Sequence, residues 1–403
     1  MSVAITNKWV ALALTGLAVI LSLTTWFSAT AILPELRAAL GLDASGAAWL
    51  TNAVQAGFVL GALVSSVLAL SDVLPLTRLM AGASLAAAAF NAVALLDPGA
   101  GWVIAARFAT GAALALVYPP SLKFIATWFR KGRGLAMGAM VGALTLGSAL
   151  PHLVRGLGAG IDWQSVLVAS SLASVAAAAI FGLVLREGPD PFGRATVDLR
   201  QIGRVIRDRP VMLANAGYFG HMWELYAMWA WILVYVGAAQ ADGLAITNAS
   251  ILAFAVIAFG APGSVLAGWF ADRIGRCKTT AIAMTISGTA ALLIGVSFDG
   301  PLWIFTLVAL VWGMAVVADS AQFSAAVTEL ADQSHVGAAL AFQMGVGFAI
   351  TILTIWLMPL IAEALGSWRW TFLVLVPGPV LGTWAMLTLR RLPEAAKIAG
   401  GRR

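Results

Sequence analysis

Charge, sulfur and imidazole are scarce in this chain. Only 10% of its 403 residues are Asp, Glu, Lys or Arg, where soluble domains carry roughly 25%. So little charge cannot clothe a water-facing surface, and the 61% apolar content points to a bilayer as the solvent. The single cysteine, Cys277, excludes an intramolecular disulfide framework and a cysteine-rich metal site. Three histidines leave little for metal chemistry, and no His-Glu-x-x-His, Cys-x-x-Cys or Gly-x-Ser-x-Gly pattern occurs. Neither a metal, a cofactor nor enzymatic chemistry is therefore expected. The glycines of Gly-Leu-Gly-Ala-Gly at 156–160 precede no soluble helix, and nothing resembles a Walker loop, which disfavours an ATP-driven pump acting alone.

In place of charge stand twelve apolar runs, approximately 9–33, 46–70, 77–96, 100–122, 134–156, 163–185, 210–237, 245–270, 279–297, 301–325, 336–362 and 368–390. At about 1.5 Å per helical residue, each can cross a hydrocarbon core of about 30 Å. The first is too long for a signal-peptide core and has no cleavage pattern, so it reads as a retained helix. The net charge of +6 is a topology signal rather than a nucleic-acid patch. With the amino terminus inside, all 24 Lys and Arg except Arg37, Arg107, Arg155 and Arg369 fall in cytoplasmic segments. The outer connections carry Asp43, Asp97, Asp162, Asp242 and Asp299 instead. The expectation is an integral protein of the cytoplasmic (inner) membrane, both termini cytoplasmic, in contact with lipid and not with nucleic acid.

The longest polar interval, residues 186–210, separates six runs from six. The expected organisation is an N-terminal six-helix bundle (1–186), a cytoplasmic linker (187–209), a C-terminal six-helix bundle (210–391) and a cytoplasmic tail (392–403). In the linker Leu199, Ile202 and Ile206 recur at helical spacing with Arg200, Arg204 and Arg207 on other faces, which predicts an amphipathic helix on the inner membrane surface. The halves also read as repeats: Asp72 recurs as Asp272, Gly134 and Ala136 as Gly337 and Ala339, and Asp-Trp-Gln-Ser at 162–165 as Ser-Trp-Arg-Trp at 367–370. The fold class is all-α membrane protein, with twelve transmembrane helices in two bundles related by an internal repeat. Secondary transporters use this arrangement, with solute bound near the midplane.

The stretch "GWFADRIGRCK" at 268–278 gathers charge between the second and third runs of the second half. It resembles the Gly-x-x-x-Asp-Arg-x-Gly-Arg-Lys/Arg signature of the major facilitator superfamily at Gly268, Asp272, Arg273, Gly275 and Arg276, with Lys278 one place late. The first-half counterpart, "LALSDVLPLTR", keeps Asp72 and Arg78 but lacks the first glycine and the Asp-Arg pair. In the fourth run Arg107 and Gly111 are similar to the superfamily's Arg-x-x-x-Gly. The resemblance spans essentially the whole chain and implies alternating access, with these loop residues as a cytoplasmic gate. It specifies no substrate: the fifth run lacks the Gly-Pro-x-x-Gly-Gly of drug–proton antiporters, and the second and eighth lack the arginine of nitrate carriers.

Charged side chains near mid-membrane are costly and commonly face a cavity. Arg107, Leu114 and Tyr118 fall on one helical line, so that stripe either faces a cavity or leaves Arg107 snorkelling outward. In the seventh run Glu224 lies at mid-depth with His221 one turn before it, and either can carry a proton or simply lock helix packing. Asp319 in the tenth run is read either as a proton site or as an inner-gate partner of Lys123 or Arg130, with Gln322 close by. His152 and Arg155 are read as outer interfacial anchors, and Pro119–Pro120 as a kink. Trp26, Trp223 and Trp312 lie deep enough to wall a cavity or to pack the core.

Taken together, these residues suggest a secondary active transporter for a small solute, an organic anion or zwitterion, coupled to protons and working as a monomer. Arg107, Tyr118, His221, Trp26 and Gln322 are the candidate substrate residues, Glu224 and Asp319 the proton-coupling ones. Gly268, Asp272, Arg273, Gly275, Arg276 and Asp72 form the gate. Proton-driven efflux of amphipathic compounds and a non-transporting membrane receptor are the alternatives.

Overall fold

Residues 7–129, 133–158, 162–189, 202–332 and 336–403 are described by the computed structural model, and every regular element among them is helical. Hydrocarbon offers no partner to a backbone N–H or C=O, so a chain this apolar satisfies them within helices. The first helix, α1 (Lys8–Leu23), is apolar but short. Eleven more are long and apolar enough to cross a membrane: α2 (Ala44–Val67), α3 (Leu76–Leu96), α4 (Ala100–Ala126), α5 (Gly134–Leu157), α6 (Gln164–Val184), α7 (Arg209–Ala241), α8 (Ala249–Ile274), α9 (Arg276–Val296), α10 (Leu302–Leu330), α11 (Val336–Leu365) and α12 (Thr371–Arg391). The first apolar run is thus broken, because Thr24–Ala29 runs in turns before a 3-10 turn at Thr30–Ile32 and a short helix at Leu33–Leu40.

The chain divides into two compact units, Met1–Thr196 and Val197–Arg403. Leu199 and Arg200 of the expected linker helix lie outside the described residues. Its remainder is helical over Ile202–Arg207, where Val205 is buried and Ile206 is 52% exposed. Several connection residues act as helix caps. Asp43 Oδ1 accepts the Gly46 N–H at 2.7 Å, Asp208 the Val211 N–H at 3.3 Å, and Asn248 the Ile251 N–H at 3.1 Å, each satisfying a donor that the first turn leaves free.

Within each unit the tightest helix crossing is made by glycine. In the first, a Cβ on Gly111 of α4 would collide with the Val54 carbonyl of α2, and one on Gly61 with that of Ala112. In the second, Gly313 of α10 stands in the same way against Val256 of α8, and Gly263 against Met314. All four pairs keep one offset of 202 residues, so the internal repeat holds at the level of backbone contact. Lipid tails are as apolar as leucine, and close approach through small residues is what makes such helices prefer each other. A crossing of glycine on glycine joins α7 to α12, where Gly220 and Gly378 each face the other's carbonyl.

These crossings set an expectation. Gly111→Ala and Gly313→Ala force backbone apart and should each destabilise the detergent-purified protein by about 1–3 kcal/mol. Gly237→Ala, with nothing within 4 Å of the new methyl, should be neutral or slightly stabilising in the same thermal-unfolding measurement.

Candidate functional site

Broken helices free backbone groups, and the unit built from α1–α6 shows how they are satisfied. Arg107 of α4 is 2% exposed and directs its guanidinium at the break after α1. Nη1 donates to Thr25 O at 2.7 Å, to Ser28 Oγ at 3.2 Å and to Asn91 Oδ1 at 3.2 Å. Nη2 donates to Trp26 O, and Nε to Leu50 O on α2 at 3.3 Å. Asn91 of α3 reaches on to Leu167 O and Ser171 of α6. Arg107 therefore neither snorkels outward nor stands free: it ties α1, α2, α3 and α4 together. Trp26 is buried beside it, its ring 4.8 Å from that of Phe58. Tyr118 is half-buried where α4 resumes after the turns at Ala115–Val117.

The second unit gathers titratable groups. His221 and Glu224 lie three apart on one face of α7; Trp312 and Asp319 lie two turns apart on α10, and the helices pair them in antiparallel order. Glu224 Oε1 accepts from Trp312 Nε1 at 2.7 Å and from Ser287 Oγ of α9 at 2.8 Å, and the residue is 2% exposed. His221 Nδ1 stands 2.8 Å from Asp319 Oδ1, both side chains being nearly inaccessible. Asp319 occupies the turn that interrupts α10, which frees its carboxyl to leave the helical line. The His221 ring lies 5.6 Å from Phe323 and 6.0 Å from Tyr218, and its Nε2 is buried without a hydrogen-bond partner among the described residues.

Each unit also holds an ion pair that spacing alone does not predict, Asp72–Lys123 in the first and Arg276–Glu329 in the second. Lys123 of α4, expected beside Asp319, is seen with Asp72 at 2.6 Å and Ser71 O at 2.9 Å. Arg130 lies outside the described residues. In the second unit Arg276 grips Glu329 of α10 through two bonds of 2.9 and 2.7 Å and donates to Gln322 Oε1 at 2.7 Å. The loop between second and third helices thus bonds to the fourth helix in both units, with the signs of the charges exchanged. Gly275 sits at φ +92°, a value glycine favours, and a Cβ there would meet the carbonyls of Arg402 and Arg403. Gly268 is buried; Asp272 and Arg273 are exposed, with Arg402 bonded to Asp272 O and the Arg273 guanidinium 3.3 Å above the Trp269 ring.

Among the expected residues, the structure brings together His221, Glu224 and Asp319, and it joins Gln322 to Arg276. It adds Ser287, Glu329 and Asn91, which carried no motif, and gives Lys123 the partner Asp72. For Glu329 a signal existed: it lies seven residues, two helical turns, after Gln322 on α10. Of the two residues read as interfacial anchors, His152 is fully buried and Arg155 bonds to Glu35 at 2.9 Å.

Comparison with known proteins places this geometry in context. The family model described as Major Facilitator Superfamily matches residues 15–260 and 225–403. The "MFS-type transporter pytF" of Aspergillus terreus is 26% identical over 178 residues, 43% of this chain and 58% of that protein. The chain thus spans little more than half the length of that curated relative. Among solved structures, the proton:xylose symporter XylE bound to 6-bromo-6-deoxy-D-glucose superposes with TM-score 0.72 at 13% identity, covering 94% of this chain and 95% of that one. The E. coli fucose:proton symporter FucP gives 0.67 at 12% identity, covering 95% and 99%. At such identity the likeness is one of fold.

Arg107 is expected to carry structural load. Arg107→Lys keeps the charge but loses the fork that spans several carbonyls, so unfolding should be easier by about 1–3 kcal/mol. Arg107→Ala should cost more, both read from thermal unfolding in detergent.

Proposed function

The chain belongs to the major facilitator superfamily, and we propose that it is a secondary active transporter that moves a small organic anion or zwitterion across a membrane together with protons. The observation that carries this reading is the buried cluster of His221, Asp319 and Glu224. Asp319 Oδ1 lies 2.8 Å from Nδ1 of the imidazole, and Nε2 has no hydrogen-bond partner among the described residues, so a solute carboxylate is an acceptor that an Nε2–H can meet. One turn away, Glu224 is held by two neutral donors. A carboxyl so placed can exist with or without its proton, because Ser287 can reorient its hydroxyl to accept while Trp312 only donates. Glu224 is accordingly the proton-coupling residue, Asp319 the residue that orients His221, and His221 the one that binds solute.

Arg107 gives its donors to the α1 break, so its part in this reading is to shape the first unit. Trp26 and Tyr118 stay candidate solute contacts of the same unit, and Gln322 belongs to the Arg276–Glu329 closure that, with Asp72–Lys123, acts as the cytoplasmic gate. The division of the chain into two compact units supports bundles at 1–186 and 210–391 joined by the 187–209 linker and followed by the 392–403 tail. The distribution of Lys and Arg supports cytoplasmic termini in an inner membrane, and a monomer is sufficient. Two superposing structures are of proton symporters, which agrees with coupling.

Proteoliposomes carrying a pH-sensitive dye and challenged with small carboxylates, amino acids, inorganic anions and lipophilic cations provide the test. A carboxylate or amino acid should change internal pH, and Glu224→Gln should abolish that change while solute exchange continues. His221→Asn should raise KM more than it lowers the maximal rate. Coupled flux that survives in Glu224→Gln overturns the assignment, and a response confined to lipophilic cations favours proton-driven efflux of amphipathic compounds.

A further inference from the structure

The residues that follow α12 fold back onto their own unit. Pro393–Gly401 runs in 3-10 turns with Ala395 and Ile398 both 0% exposed, so the segment is seated through apolar side chains. The Ala399 N–H donates to Glu329 Oε2 at 3.0 Å, on the same carboxylate that Arg276 holds through Nε at 2.9 Å and Nη2 at 2.7 Å. Arg402 donates to the carbonyl of Asp272 in the last turn of α8, where carbonyls have no partner within the helix. Beside it, Gly275 lets the carbonyls of Arg402 and Arg403 approach to where a Cβ would stand. One segment thus touches both the end of α10 and the loop between α8 and α9.

The first unit carries a shorter version of the same contact. The 202-residue offset of the glycine crossings pairs Thr127 with Glu329. Thr127 Oγ1 accepts the Gly188 N–H at 2.9 Å, just as Glu329 accepts that of Ala399, and both donors follow the sixth helix of their unit. Glu187 also accepts the Leu76 N–H at 2.9 Å, at the start of α3. Ala399 follows Gly188 by 211 residues, nine beyond the offset, so the second unit reaches the equivalent place with a longer loop of chain. That second contact bears on a jointed helix. α10 is interrupted by the turn at Asp319, and its remaining part, Ser320–Leu330, carries Glu329 at its far end. We propose that residues 393–403 are a strap that clamps Ser320–Leu330 to the α8–α9 loop, and that its release frees this part of α10 to pivot about the turn at Asp319. A seat this small can open locally while the bundle stays folded. The consequence for transport, a gate that loosens when the strap lets go, rests on the gate reading above; the clamp itself does not.

Hydrogen exchange read by mass spectrometry on the purified full chain tests the strap with no solute present. Ala399→Pro removes the N–H and fixes φ near about −65°, away from the +48° that Ala399 adopts, so the strap cannot seat. Peptides covering 268–280 and 320–330 should then exchange at least about threefold faster, while 302–316 in the first part of α10 keeps the wild-type rate. Arg402→Ala should act mainly on 268–280, because its bond goes to Asp272. Ala399→Gly keeps the N–H and relieves the positive φ, so both segments should exchange at or below the wild-type rate. Lys397→Ala, which alters an exposed side chain of the strap, should match wild type. Unchanged exchange at both segments in Ala399→Pro overturns the proposal. So does faster exchange spread evenly over 302–330, which would make the strap part of the core. Neither solute nor proton gradient enters this measurement, so its failure and a failure of coupled transport are read separately.

Discussion

A membrane interior supplies no water, and this constraint governs the molecule at every level. It makes the described regular structure entirely helical, because only helices satisfy their own backbone in hydrocarbon. It also makes each interruption of a helix a chemical problem with a local answer. At the end of α1 the answer is Arg107, whose planar fork reaches several carbonyl and side-chain acceptors at once, where a lysine would offer a single point charge. At the interruption of α10 the answer differs: Asp319 leaves the helical line and meets His221. The first solution is structural and consumes its cation. The second leaves a buried pair of titratable side chains within one turn of Glu224.

Glycine crossings hold these interruptions in place. α4 crosses α2 and α10 crosses α8 through equivalent glycines, and this common frame positions Arg107 in one unit and Trp312 with Asp319 in the other. Equivalent scaffolds have thus been given unlike chemistry. The same divergence shows in the ion pairs, where Asp72–Lys123 and Arg276–Glu329 each reach the fourth helix of their unit with opposite signs. An ion pair is indifferent to which partner carries which sign, so the two repeats were free to differ there.

The legibility of the site in the sequence followed the same division. Glu224 and His221 could be found because an ionisable residue in a long apolar run is conspicuous in one dimension. Asp319 could be found for that reason too, but not its partner, since the expected cations were basic residues of the inner loops. Arg107 was visible as an anomaly but its partners were not, because a helical stripe says which residues share a face and not what that face meets. Ser287 and Asn91 carried no signal at all: a serine or asparagine in a hydrophobic run is common, and only its partners give it meaning.

By itself the sequence determined the solvent, the helical class and the apolar runs from which the spans are made, since each depends on the transfer free energy of residues taken in order. Tertiary structure decided everything that needs two helices. Glu224 and the indole that binds it are 88 residues apart, and Arg107 and the carbonyls it holds are about as distant. Which polar group meets which was settled by where helices break and where glycine lets them cross, and these contacts join faces that no local period relates.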